Sequence, residues 1–179
     1  MIVDCPAERQ RPDRVVQRGA VKMQVESGAL GEQFAQLFAG VSAKVELTDD
    51  FITAAWRKLC TNAAGAVSAL VAKPSGVLHD EALGQVALEI VAECIAVGRA
   101  EGARLDDDIS RQVLAGYRAQ PPDSVNSMLA DRLAGRPMEI DARNGVIVRK
   151  GEKHNIKTPS NRMAVALLQA LREDPAPRG

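Results

Sequence analysis

Between Asp49 and Val71, apolar residues recur three or four positions apart: Ile52, Ala55, Leu59, Ala63, Val67 and Leu70. That spacing places them on one continuous stripe of an α-helix. A second stripe, Lys58, Asn62, Gly65 and Ala69, is small and polar apart from one long cation. Thr48, Asp49 and Asp50 stand just ahead, with side chains that can accept the free N–H groups of a first helical turn. The pattern predicts one long helix over 49–71, with the rest of the chain packed against it.

Upstream the period changes to two. Val21, Met23 and Val25 alternate with Lys22, Gln24 and Glu26, which is strand periodicity. Val15 and Val16 lie just before, and Gln17-Arg18-Gly19 supplies turn residues, so a β-hairpin is expected. Gly28 and Gly31 open a short helix over 32–39, and Lys44-Val45-Glu46-Leu47 reads as one more strand. Elements this few and short bury little surface. Residues 1–48 are therefore expected to be the end of a domain whose beginning is absent.

Downstream the pattern is helical throughout. Leu83, Val86, Ile90, Cys94 and Val97 mark one face of a helix over 81–100, with Asp80 placed to cap it. Asp106, Asp107 and Asp108 bring negative charge to the start of a helix carrying Ile109, Val113 and Tyr117, where the macrodipole favours it. This acidic run reads as a helix start rather than a metal site. Gln120-Pro121-Pro122 breaks the chain, and Asp123 or Ser124 can cap a short helix ended by Gly135. Pro137 and Met138 lead into a helix to about Lys153, and Thr158-Pro159 begins a last one that stops before Pro175. The fold class is mainly α, a helical domain over 49–173 followed by a loose tail over 174–179.

Composition narrows the partners. The 179 residues carry 23 basic and 23 acidic side chains, so neither nucleic acid nor an anionic membrane surface would attract the chain. Aromatics make up 3%, too few for base-stacking platforms, and the core must come from Ala, Val, Leu and Ile. Cys5, Cys60 and Cys94 show neither a disulfide framework nor metal-ligand spacing. His79 and His154 sit beside turn residues and read as solvated loop histidines. With no signal peptide and no membrane-spanning run, the cytoplasm is the default location.

Three polar positions carry candidate chemistry. Lys58 rises from the small stripe partly shielded from water, and desolvation lowers a lysine pKa toward the range of a working proton donor. It can equally snorkel to the surface. Ser127 falls in the first turn of its helix, where free N–H groups attract an anion; it can equally be a minor cap. Glu139 falls in the first turn of the next helix, where a carboxylate is stabilising without any function, with Arg143 as a partner four residues on. Lysine, serine and glutamate on three helices do not by themselves name a reaction.

As a set, Trp56-Arg57-Lys58-Leu59-Cys60-Thr61-Asn62, Ser127-Met128-Leu129-Ala130-Asp131 and Gly135-Arg136-Pro137-Met138-Glu139-Ile140-Asp141 resemble the ketopantoate reductase (2-dehydropantoate 2-reductase) family. Asn144-Gly145 and Thr158-Pro159 continue the pattern, and Gly28-Ala29-Leu30-Gly31-Glu32 extends it back toward that family's nucleotide-binding domain. The resemblance implies a helical domain like the C-terminal domain of 6-phosphogluconate dehydrogenase, preceded by a small hairpin-and-helix piece of a Rossmann domain. It implies reduction of a 2-keto acid to a 2-hydroxy acid with NADPH as hydride donor. It makes Lys58 the general acid, with Glu139 tuning it and accepting a hydrogen bond from a substrate hydroxyl. Asn62 and Ser127 become substrate-binding, Ser127 through the substrate carboxylate, with Ser124 beside them.

Two positions depart from the pattern. Ala66 and Ser124 stand where pantoate-making members carry asparagines, so a related 2-keto acid is as fitting a substrate as ketopantoate. The family's G-x-G-x-x-G turn has no counterpart here, and Gly28-x-x-Gly31 is not expected to sit in a strand–helix–strand unit. The expected protein is thus the catalytic half of a reductase, a homodimer that does not bind NADP by itself and lacks a cofactor domain. The competing expectation is a helical dimerisation or partner-binding module without catalysis.

Overall fold

Why residues 15–26 do not close into one hairpin becomes clear from their partners. The computed structural model describes residues 1–11 and 13–173, so the tail expected over 174–179 lies outside it. The chain divides into two compact units, Met1–Ala55 and a second that begins at Trp56. The first contains β1 (Ile2–Asp4), β2 (Ala7–Arg11), β3 (Arg14–Gln17), β4 (Lys22–Glu26), α1 (Ala29–Leu37) and β5 (Lys44–Thr48). β4 is the middle strand of a three-stranded sheet, antiparallel to β1 and parallel to β5. β3 pairs back onto β2 instead, with Val16 opposite Glu8 and Val15 opposite Arg9. Alternation identified β4 correctly, since Met23 and Val25 are its buried positions. It could not identify the partner, which depends on which strand brings a matching apolar face.

The parallel pair changes the reading of the two glycines. β4, α1 and β5 form a strand–helix–strand crossover, contrary to expectation, and α1 begins at Ala29, earlier than predicted. Gly31 lies inside the helix where a Cβ would run into the Glu26 carbonyl oxygen and reach within 3.2 Å of Leu47 Cδ2. Glycine is needed there so that α1 can lie close on the strands.

The second unit is helical. α2 (Phe51–Ala64) leads into it, followed by α3 (Ala66–Val71), a 3₁₀ turn (Ser75–His79), α4 (Glu81–Ala100), α5 (Ile109–Arg118), α6 (Ser127–Leu133), α7 (Val146–Lys153) and α8 (Pro159–Glu173). The class is therefore mainly α with a small N-terminal strand portion, as expected. The long helix predicted over 49–71 is broken at Gly65 into α2 and α3. From Ala63 to Ala69 every residue is buried, so the two stripes merge and α3 is buried all round until its last two residues.

The hub is α4 rather than the 49–71 segment, since α4 packs against α3, α5, α7 and α8. Asp80 Oδ1 accepts the Leu83 N–H at 3.0 Å, the cap its sequence position predicts. Ile90, Val97, Ile147 and Leu168 are buried completely, each worth about 1.5–3 kcal/mol relative to exposure. Cys60 and Cys94, far apart in sequence, meet inside this core with their sulfurs 3.5 Å apart as free thiols. Their contact and burial push the Cys94 thiol well above its usual range.

Three further expectations are corrected. α6 is capped by Asn126, whose Oδ1 accepts the Leu129 N–H at 3.0 Å, not by Asp123 or Ser124. The helix expected from Pro137 starts later: residues 136–139 are irregular, and Asp141–Gly145 forms a single π turn closed by Gly145 N–H on the Ile140 carbonyl at 2.9 Å. Glu139 thus precedes the helix instead of standing in its first turn. His154 is no solvated histidine, because its Nε2 lies 2.5 Å from Glu101 Oε1. The acidic run leads directly into α5, which starts at Ile109, with Asp107 paired to Arg99 and Asp108 accepting from Gln112. No helix among the described residues is long and apolar enough to cross a membrane.

Candidate active site

The break at Gly65 is where the polar positions of α2, α5 and α6 meet. Gly65 N–H bonds to the Asn62 carbonyl at 3.2 Å, one residue short of a regular helical bond. The Thr61 carbonyl, which Gly65 would otherwise have engaged, accepts the Tyr117 hydroxyl at 3.0 Å. Asn126, while capping α6, donates its Nδ2 to the Gly65 carbonyl at 3.2 Å. A Cβ on Gly65 would sit 3.0 Å from Tyr117 Oη and 3.2 Å from Asn126 Nδ2, so the three helices approach closely at this glycine. Burial pushes the Tyr117 phenol up to about 12, with the nearby Arg143 charge pulling the other way. Tyr117 therefore stays a donor across the neutral range.

Lys58 and Asn62 lie one turn apart on α2, both half-buried. Ser127 opens α6 immediately after the capping Asn126 and is exposed. Its Oγ accepts a hydrogen bond from Arg143 Nη2 at 2.8 Å. Arg143, on the π turn, also donates to Glu139 Oε2 from Nη2 at 3.0 Å and from Nε at 3.3 Å. Two of the sequence-predicted positions, Ser127 and Glu139, are thus joined through one guanidinium. Ser124 is used differently: its carbonyl accepts both the Ser75 N–H at 2.8 Å and the Ser75 hydroxyl at 3.0 Å, fixing the turn after the two prolines.

Arg143, Tyr117 and Asn126 were not identified as site residues by sequence reasoning. Arg143 was legible only as a helix-surface partner of Glu139. The π turn brings it inward, and it is 9% exposed. A separate hollow of about 270 Å³ lies between α2 and α5, bounded by Arg57, Thr61, Gln112, Tyr117 and Gln120, and Lys58, Ser127 and Glu139 do not line it.

Within the helical unit, Ser127, Arg143 and Glu139 thus form one hydrogen-bonded cluster, and Lys58 and Asn62 share a half-buried face of α2. The family model for the ketopantoate reductase PanE/ApbA C-terminal domain matches residues 50–172. This chain belongs to that family. It is 57% identical over 169 residues to the 2-dehydropantoate 2-reductase of Caulobacter vibrioides, covering 94% of this chain and 58% of the relative. A PanE/ApbA family ketopantoate reductase structure from Ralstonia eutropha superposes with a TM-score of 0.87 at 33% identity, over 96% of this chain and 58% of that one. The fold is also that of a ketopantoate reductase from Staphylococcus aureus described as dimeric (TM-score 0.91, 22% identity, 96% and 60% covered). The chain thus spans well under two thirds of the length of these relatives.

Proposed function

We propose that this chain is the substrate-binding and catalytic half of a cytoplasmic NADP-dependent 2-keto acid reductase of the ketopantoate type. The observation that carries the reading is the joining of Ser127 and Glu139 by the buried Arg143. Their proximity supports a hydroxyl that holds a carboxylate beside a carboxylate that accepts a hydroxyl, the pairing a hydroxylated keto acid would use. In this reading Lys58 is the general acid that protonates the developing alkoxide, and Asn62, one turn on, orients the substrate or the lysine. Ser127 receives the carboxylate and Glu139 the substrate hydroxyl.

The hydride of such a reaction comes from the nicotinamide cofactor. Gly31 is occupied with packing α1 on its strands, and the sequence carries no G-x-G-x-x-G turn to cradle a pyrophosphate. The 179-residue chain is accordingly expected to bind NADPH poorly when supplied alone. The test joins it to the N-terminal part of the Caulobacter relative and follows NADPH oxidation with ketopantoate. Lys58→Ala should lower kcat by about 100- to 10,000-fold. Turnover within a few-fold of the parent would remove Lys58 from the chemistry.

The same proposal includes self-association. Met163, Leu167 and Leu171 recur every fourth residue on α8 and are 51%, 49% and 40% exposed, an apolar stripe that a second copy would cover. Sedimentation at tens of micromolar should give a dimer, and Leu167→Glu should weaken it.

A further inference from the structure

The reading above leaves unexplained why an arginine is buried between Ser127 and Glu139. Its side chain is 11% exposed, whereas that of Glu139 is 66% exposed. The cation is therefore the fixed member of the pair and the anion the movable one. Ser127 Oγ accepts from Arg143, and a hydroxyl that accepts on a lone pair still has its own O–H to give. Arg143 thereby turns Ser127 into a donor. The contacts to Ser127 and Glu139 engage Nε and Nη2, while a guanidinium carries five N–H donors in a planar fork matched to a carboxylate.

We propose that Arg143 receives the carboxylate of the incoming 2-keto acid, with Glu139 holding that position until the substrate displaces it. The proposal rests on the reductase reading of the same site and assigns the residue that selects for a carboxylate. A buried guanidinium is costly without a counter-charge, and Glu139 supplies one in the free protein. When a substrate carboxylate takes over, one anion replaces another and the cluster keeps its net charge. The freed Glu139 side chain, already largely in solvent, can then accept the substrate hydroxyl. A lysine in place of Arg143 would keep the charge but lose the fork that spans Ser127 and the carboxylate at once.

The experiment is a nuclear magnetic resonance titration of the 179-residue chain with 3,3-dimethyl-2-oxobutanoate and, separately, its uncharged methyl ester. The acid should shift the Arg143 Nε–H resonance and the Ser127 and Asn62 amides, and the ester should not shift the arginine. Arg143→Gln should weaken the acid by about ten-fold or more, and Arg143→Lys should fall between. Glu139→Gln should tighten it, because the competing carboxylate is gone. If Arg143→Gln does not fold, the Nε–H resonance of the parent and the Arg143→Lys titration still decide. Equal affinity for the acid in the parent and Arg143→Gln, with Ser127 and Asn62 still responding, overturns the proposal and leaves the reductase reading standing. Weaker binding by Glu139→Gln also overturns it. Absence of any response to the acid in the parent overturns the reductase reading and this proposal together.

Discussion

The stretch from Asp141 to His154 serves two carboxylates in opposite ways. At its far end, Glu101 has a side chain only 15% exposed and receives Lys150 at 2.7 Å, Lys153 at 3.1 Å and His154 at 2.5 Å. These hydrogen bonds, led by that of Lys150, pull its carboxyl down to about 2. At the near end, Arg143 is the shielded partner and Glu139 the exposed one. A shielded anion held by three donors is already satisfied by the protein itself. A buried cation with a solvent-facing anion can exchange its partner. The first arrangement ties the end of α4 to α7, and the second leaves one member of the pair open to solvent.

The fixed side of this comparison extends to Asn144, next to Arg143. Asn144 Nδ2 donates to Asn161 Oδ1 at 2.9 Å, and Asn161 Nδ2 donates to the Ile90 carbonyl at 3.0 Å and to Glu93 Oε2 at 2.7 Å. Both asparagines are fully buried. Asn161→Leu would take one partner each from the Ile90 carbonyl, the Glu93 carboxylate and the Asn144 amide, leaving the Asn161 N–H on Glu93 and the Asn144 amide on the Ala63 carbonyl. The expected loss in urea unfolding is about 3 kcal/mol or more, the largest effect predicted here. A loss below about 1 kcal/mol would show that α8 is held by apolar packing alone.

Glu101 should reveal itself through pH. Its carboxyl sits at about 2 when folded against an ordinary 4.5, so the folded state favours the charged form. The stability it contributes is complete above about 4.5 and is lost as the pH falls from there toward 2. Glu101→Gln should therefore be less stable than the parent at pH 7, and the two should converge in acid. Parallel stability curves from pH 7 to pH 3 would mean that the three cations do not hold Glu101 in solution.

How much of this was legible beforehand differs between the two ends. α4 and its Asp80 cap follow from periodicity and a single acidic residue, because both are local. So does the position of Ser127 at a helix start, since the prolines and turn residues ahead of it break the chain there. Arg143 was hidden because the expected regular helix would have put it on a surface turn beside Glu139, and one π turn redirects it inward. The break at Gly65 was hidden because glycine is tolerated within helices. Only the approach of Tyr117 and Asn126, distant in sequence, makes it a junction. His154 was misread for a similar reason, as its partner Glu101 lies on another helix. Local signals were readable, and contacts made by long-range closure were not.

The smallest predicted effect is the sharpest test of the comparison. Glu139→Gln removes a charge whose side chain is 66% exposed, and glutamine can still accept a hydrogen bond from the guanidinium. Solvent screening limits such a pair, so the stability change at pH 7 should stay within about 0.5 kcal/mol. Arg143 and Lys150 are separated by about two helical turns, on the order of 10 Å along the axis. If one cluster is a lock and the other an exchangeable site, they should not share energy. The Glu101→Gln, Glu139→Gln double variant should then lose the sum of the single losses to within about 0.5 kcal/mol. A larger discrepancy would mean that the charges along 141–154 act as one network, and that Glu139 cannot leave Arg143 without loosening the far end of the helix.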